Sequence, residues 1–151
     1  TKRADSTSIK FMVDMLAGKY KTGVPHLYFA VVDVRDVAAA HISALENDAA
    51  TGRFVCCSET KSILEIAKEL RTLVPDRQNK IPSRQLPNWL AYIFAPLLAG
   101  FSWNYLKKNL GIPVLGNNAK IKKELGMEFR PLSETLLAHA QQVKQDGLLK
   151  K

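Results

Sequence analysis

The sequence predicts a helix-rich α+β domain with two short strands. Three observations carry that expectation. Apolar residues recur at helical spacing in most segments, only two runs are rich in β-branched and aromatic residues, and no regular strand–helix–strand alternation is present. The pattern suits a satellite domain better than a complete doubly wound sheet. The chain has 151 residues, 46% hydrophobic and 24% charged, which describes a globular chain with a sizeable core.

The elements follow in order. Ser6-Thr7-Ser8 precedes Ile9, Met12, Val13 and Leu16, which share one helical face, and Gly18 is the stop signal. Residues 19–27 read as a polar loop. Tyr28 to Val34 reads as a strand. Val37, Ala40, His41, Ala44 and Leu45 form the next buried stripe, with Asp33 or Asp36 able to cap the helix start. A second strand is expected at Arg53–Cys57, after a turn at Gly52. Ser62-Ile63-Leu64-Glu65 is a capping box opening a helix with Ile63, Ile66, Ala67, Leu70, Leu73 and Val74 on its inner face, ended by Pro75. Residues 76–84 read as a polar connection.

Leu86 to Phe101 is the most apolar run and leads into Trp103, Tyr105, Lys107 and Lys108. It is too short and interrupted to span a bilayer, which needs about 20 apolar residues. Pro96 predicts two helical pieces meeting near Ala95-Pro96. A buried helix pair is the default for 86–108; a lid, a homodimer contact and a membrane-surface patch remain open. Residues 111–118 are turn-rich. Ala119–Leu125 reads as a short basic helix stopped by Gly126. Ser133 is the expected cap of a last helix burying Leu136, Leu137, Ala140 and Val143 and ending near Gly147.

Twenty-two Lys and Arg oppose 14 Asp and Glu, a net charge of +8. The basic residues are dispersed and none alternates with aromatic residues as a base-stacking platform would, so no nucleic acid partner is expected. Adjacent Cys56 and Cys57 form no ready disulfide, and unpaired thiols suit a reducing compartment, the cytoplasm. No spacing of His and Cys offers a metal site.

Catalytic patterns are absent as well. No Gly-x-Gly-x-x-Gly occurs. A tyrosine four residues before a lysine is the arrangement in which an ammonium eases proton donation from the phenol. Tyr20, Tyr28, Tyr92 and Tyr105 are followed at that spacing by Val24, Val32, Pro96 and Asn109. His41 and His139 read as core or flank residues and His26 as a loop residue. The Asp33, Arg35, Asp36 group reads as a cap plus an ion pair.

Four segments nevertheless carry a resemblance: Ser6-Thr7-Ser8-Ile9; Val32-Asp33-Val34-Arg35-Asp36-Val37-Ala38-Ala39-Ala40-His41; Gly52-Arg53-Phe54-Val55-Cys56; and Lys123 to Leu136, containing Glu128-Phe129-Arg130-Pro131-Leu132. In this order and spacing they resemble the dihydroflavonol reductase-like branch of the extended short-chain dehydrogenase/reductases. The similarity runs from Ser6 to about Leu149. It implies that residues 1–151 are the C-terminal, substrate-binding portion of a Rossmann-type reductase, with the N-terminal dinucleotide-binding core and the catalytic residues absent from this chain.

The resemblance also implies NADP or NAD, held mainly by that missing core, and a small carbonyl substrate, with the isolated portion inactive. A sugar epimerase/dehydratase-like or sterol dehydrogenase-like relative, and a non-enzymatic basic module binding a membrane surface or nucleic acid, are the rival readings. By resemblance, Ser8 touches the cofactor, unless it serves simply as a helix cap, and Phe11 lines the substrate pocket. Ala30 stands where the plant dihydroflavonol enzymes carry a glutamine. Alanine cannot form that hydrogen bond, which argues against a flavonoid substrate.

Overall fold

The computed structural model describes residues 6–99 and 102–149, with the backbone alone for 94–99. Its elements are α1 (Thr7–Ala17), β1 (Tyr28–Val31), α2 (Val34–Glu46), β2 (Glu59–Ser62), α3 (Ile63–Leu73), a 3-10 turn at Pro75–Arg77, α4 (Asn88–Ala99), α5 (Trp103–Asn109), α6 (Ala119–Leu125) and α7 (Leu132–Gln145).

The main core lies between α1, α3, α7 and the sheet. Met12, Met15 and Leu16 of α1 meet Ile63, Ile66, Ala67 and Leu70 of α3 and Leu136, Ala140 and Val143 of α7. These positions are three or four apart, so each helix buries one stripe. Local signals set the ends. Gly18, at φ 91°, closes α1, with its own N–H bonded to Met15 O and that of Lys19 to Asp14 O. The expected capping box opens α3: Ser62 N–H donates to Glu65 at 2.8 Å, and Glu65 N–H donates to Ser62 Oγ at 3.2 Å. Gly126 and Gly147 take positive φ at the ends of α6 and α7.

A smaller core lies between α2 and α6. Ala40, Ile121 and Met127 are buried there, with Phe54, Cys56, Leu125 and Phe129 packed against them. The Lys120 ammonium lies 4.5 Å from the Phe54 ring centre, within cation–π range.

Several expectations need correction. The second strand is not Arg53–Cys57 but Glu59–Ser62, which pairs antiparallel with β1 from Tyr28↔Ser62 to Val31↔Glu59. Arg53–Cys57 forms no ladder among the described residues. Its alternation is still used: Phe54 and Cys56 turn inward to the smaller core, while Val55 is 48% exposed. Asn118 Nδ2 instead satisfies the Cys57 carbonyl, at 2.7 Å. Periodicity reported packing; only the partner strand decided where the ladder forms.

Helix α4 runs through Pro96 as a single element. A proline removes one backbone donor, and the helix continues past it. Helix α4 is described to Ala99 and α5 starts at Trp103, where Ser102 Oγ caps it by accepting from Tyr105 N–H at 3.1 Å. Among the described side chains of 86–108 the expected buried pair is only partly found: Ala91 and Leu106 are buried, but Trp89, Ile93 and Trp103 are exposed. Ser133 does not cap α7; Pro131 occupies the cap position, and its fixed φ of −63° suits a helix entry. Leu137 is exposed on α7, and Leu132 is buried in its place. On α2, Leu45 is 85% exposed, and His41 is exposed with Nδ1 2.7 Å from Val37 O. The inner side of α2 is built on Asp36 and Ala40 instead. The 76–84 connection contains most of the 3-10 turn.

Candidate substrate cleft

A cleft of about 730 Å³ opens beside the main core. The first turns of α1 contribute Thr7, Ser8, Lys10 and Phe11, and β1 contributes Tyr28, Phe29 and Ala30. Ile63 and Ile66 come from α3, and Thr135, Leu136 and His139 from α7. Ser8, Phe11 and Ala30, which the sequence places on separate elements, therefore line one cavity. Their placement follows from local structure. Helix α1 sets Phe11 about one turn after Ser8, and consecutive residues of β1 from Tyr28 to Val31 line the same cavity.

Aromatic rings form much of one wall. Phe11 meets Phe29 edge to face at 5.6 Å and Tyr20 in a tilted contact at 6.1 Å. Such pairs are favoured by the ring quadrupoles and hold the rings in place. At the rim, His26 Nε2 lies 2.9 Å from Tyr28 Oη, and Gly111 N–H donates to His26 O at 2.7 Å.

Charge is kept in matched groups. Asp14 accepts from Lys10 at 2.8 Å, Lys19 at 3.1 Å and Tyr20 Oη at 3.3 Å. Burial opposes its ionisation, but the two ammonium groups prevail and its pKa falls below the usual carboxylate value. Tyr20 is pushed up to about 12, by burial first and then by Asp14. Its phenol therefore stays neutral at ordinary pH. Burial lowers the pKa of His139, which favours the neutral ring. Among the described residues no group of three or more His, Cys, Asp or Glu side chains is placed to hold a metal ion. The cleft is thus a largely aromatic and aliphatic cavity whose charged lining residues, Lys10 and Asp14, are paired with each other, suited to holding an organic molecule.

Ser8 is the second residue of α1 and not its cap. Ser6 occupies that position and makes no side-chain capping bond. The first amides of a helix have no partner within it. Those amides and the hydroxyls of Thr7 and Ser8 are compatible with a phosphate or ribose oxygen at the cleft mouth. Among the described residues nothing nearby resembles the Gly-rich turn that would hold a whole dinucleotide.

A charged network underlies the cleft. Asp33, 4% exposed, caps α2 by accepting from Arg35 N–H at 2.8 Å, and takes Arg35 Nε and Nη2 at 2.9 and 2.7 Å. Thr135 Oγ1 on α7 donates to it at 2.9 Å. Asp36 accepts from Arg130 N–H at 2.8 Å and pairs with the Arg130 guanidinium. Glu134 lies 3.1 Å from Arg35 and 3.4 Å from Arg130. The network ties the start of α2 to that of α7, and Thr135 belongs to both network and cleft. The cap and ion pair at Asp33-Arg35 were expected. Arg130 and Thr135 were not, because their partners lie 94 and 102 residues away.

A ketoreductase from Aspergillus niger is 32% identical over 134 residues, covering 87% of this chain and 34% of that protein. A cinnamoyl-CoA reductase from Oryza sativa subsp. japonica is 30% identical over 129 residues, covering 85% of this chain and 32% of its own length. The crystal structure of yeast methylglyoxal/isovaleraldehyde reductase Gre2, complexed with NADPH, superposes with a TM-score of 0.65 at 22% identity, over 91% of this chain and 40% of that one. Over that stretch the chain is similar to curated ketoreductase and cinnamoyl-CoA reductase sequences. No family model matches it. The chain spans about a third of the length of the curated reductases it matches. The helix-rich architecture with a two-stranded sheet shares the fold of the matching portion of Gre2.

Proposed function

We propose that this chain is the substrate-binding portion of a longer NAD(P)H-dependent reductase acting on a ketone or aldehyde. The observation that supports it most is the cleft itself. It gathers Ser8, Phe11 and Ala30 along one cavity walled by Phe29, Ile63, Ile66 and Leu136, in a relative of reductases.

In this reading Phe11 and Phe29 present ring faces and edges to the apolar body of the substrate. Ala30 leaves its stretch of wall without a hydrogen-bonding side chain, which favours a substrate with no polar group there. Ser8 donates its hydroxyl hydrogen to a cofactor oxygen at the mouth. Bound NAD(P)H would supply the hydride to the carbonyl carbon. The proton for the carbonyl oxygen would come from a residue outside this chain, because Tyr20 holds its proton too tightly and no tyrosine here precedes a lysine by four. The dinucleotide-binding core would likewise be a separate region of the longer protein.

The test is NADPH oxidation followed at 340 nm with a panel of ketones and aldehydes. The chain alone should show no turnover. Fused behind the nucleotide-binding core of the Aspergillus niger relative, it should show turnover, and Phe11→Ala should raise KM for bulky substrates. Turnover by the chain alone, or a folded fusion indifferent to Phe11→Ala, would overturn the proposal.

A further inference from the structure

The two tryptophans of the chain, Trp89 and Trp103, are both exposed, at 65% and 58%, and both lie in the α4–α5 corner. On α4, Ile93 follows Trp89 by four residues and shares its face, 53% exposed. On α5, Lys107 follows Trp103 by the same interval. Tyr92 stacks on Trp103, with ring centres 6.3 Å apart and planes 18° from parallel, which joins the two helix faces into one patch. Lys107 and Lys108 stand exposed in the last turn of α5.

Charge is distributed unevenly along the stretch of sequence that contains that corner. Between Asp76 and Glu124 the sequence holds no acidic residue and eight Lys and Arg, which equals the net charge of the whole chain. Arg77 follows Asp76 directly and Lys120, Lys122 and Lys123 lie within four residues of Glu124, whereas Lys107 and Lys108 stand 16 or more residues from any acidic residue.

We propose that the α4–α5 corner docks on an anionic lipid surface. Tryptophan and tyrosine rings favour the headgroup layer, where an apolar body and a polar edge are both accommodated. Ile93 adds aliphatic area to the same contact. Lys107 and Lys108 meet the negative headgroups, and the acid-free segment removes the repulsion that carboxylates would add. Twelve residues of α4 extend about 18 Å, too short to cross a bilayer. No helix among the described residues is long and apolar enough to cross one. The helix therefore lies along the surface. A nucleic acid is the weaker occupant, because the centre of the patch is apolar and Trp103 already stacks on Tyr92 rather than standing free for a base. Phe94 and Phe101 of this segment lie outside the described side chains.

Both tryptophans sit in the patch, so intrinsic fluorescence reports on it directly. The chain is titrated with phosphatidylcholine vesicles containing or lacking 30% phosphatidylserine (roughly the composition of an acidic leaflet), with and without brominated acyl chains. Anionic vesicles should shift emission to the blue, brominated lipid should quench it, and moderate salt should weaken both. Lys107→Gln with Lys108→Gln should lower partitioning about thirtyfold, at roughly 1 kcal/mol per lysine. Trp89→Ser should reduce co-sedimentation with vesicles while circular dichroism stays unchanged. Absence of a shift and of quenching in the unsubstituted chain would overturn the proposal. So would equal partitioning onto neutral vesicles, or a response to a DNA duplex with none to vesicles.

Discussion

Asp33 accepts hydrogen bonds from both its own helix and α7, and its replacement separates two effects. Its carboxylate is 4% exposed, caps α2 and accepts from Arg35 and Thr135. Replacement by alanine removes the cap, worth about 1 kcal/mol. It also removes hydrogen bonds to a charged acceptor, worth about 1.5–3 kcal/mol. The Arg35 side chain is 45% exposed, so water re-solvates it and the loss stays near the low end. Asp33→Ala should therefore destabilise by about 3 kcal/mol, or about 6–12 °C in Tm for a chain of this length. Asp33→Asn keeps a capping oxygen and loses the charge; about half that loss is expected.

The acid dependence follows from the same contacts. The hydrogen bonds from Arg35 hold the Asp33 carboxyl well below the usual carboxylate range, against the effect of burial. A depressed folded value means that the stabilisation is complete above the unfolded value, near 3.9, and is lost as pH falls below it. Urea unfolding followed by circular dichroism at pH 7, and then stepwise from pH 5 to pH 2.5, measures both effects. The unsubstituted chain should lose stability more steeply below pH 4 than Asp33→Asn. An Asp33→Ala chain within about 0.5 kcal/mol of the original, or parallel acid profiles for the original and Asp33→Asn, would refute this account.

Three further outcomes are expected. Gly23 sits at φ +142°, where an added Cβ would lie 2.8 Å from Leu86 Cδ2, so Gly23→Ala should cost about 1–3 kcal/mol in chemical denaturation. Ser62→Ala breaks the capping box of α3 and should cost about 1 kcal/mol by the same measurement, with hydrogen exchange rising first at the α3 amino end. His139 has a pKa lowered by burial, so the unfolded chain binds a proton before the folded chain does. Stability should fall as pH drops below about 6.5, and His139→Gln should flatten that slope, as read by thermal unfolding between pH 7.5 and 5.

Where a structural decision is local, residues a few positions apart disclose it. The Ser62–Glu65 box, the stops at Gly18, Gly126 and Gly147, and the inner stripe of α3 were all legible because each depends on one turn of backbone. The candidate residues Ser8, Phe11 and Ala30 came from the resemblance, and the structure places them in one cleft. Tyr20, Tyr28, Thr135 and His139 line that cleft too, and no local signal had assigned them to it. Arg130 had a visible position, immediately before Pro131 and the last helix, but its acidic partner could not be read from that neighbourhood.

The amino-acid order alone determined which segments become helices, where most of them stop, and that neither a metal cluster nor a Tyr-x-x-x-Lys pair can be read in this chain. Three-dimensional packing decided the rest. It moved the second strand from 53–57 to 59–62, joined α2 to α7 through Asp33 and Asp36, and left Leu45, Trp89 and Trp103 facing outward. The physical reason is range. Helix caps and stops are satisfied within a few residues, whereas a strand, a buried carboxylate and an apolar face each need a partner whose position only the folded chain supplies.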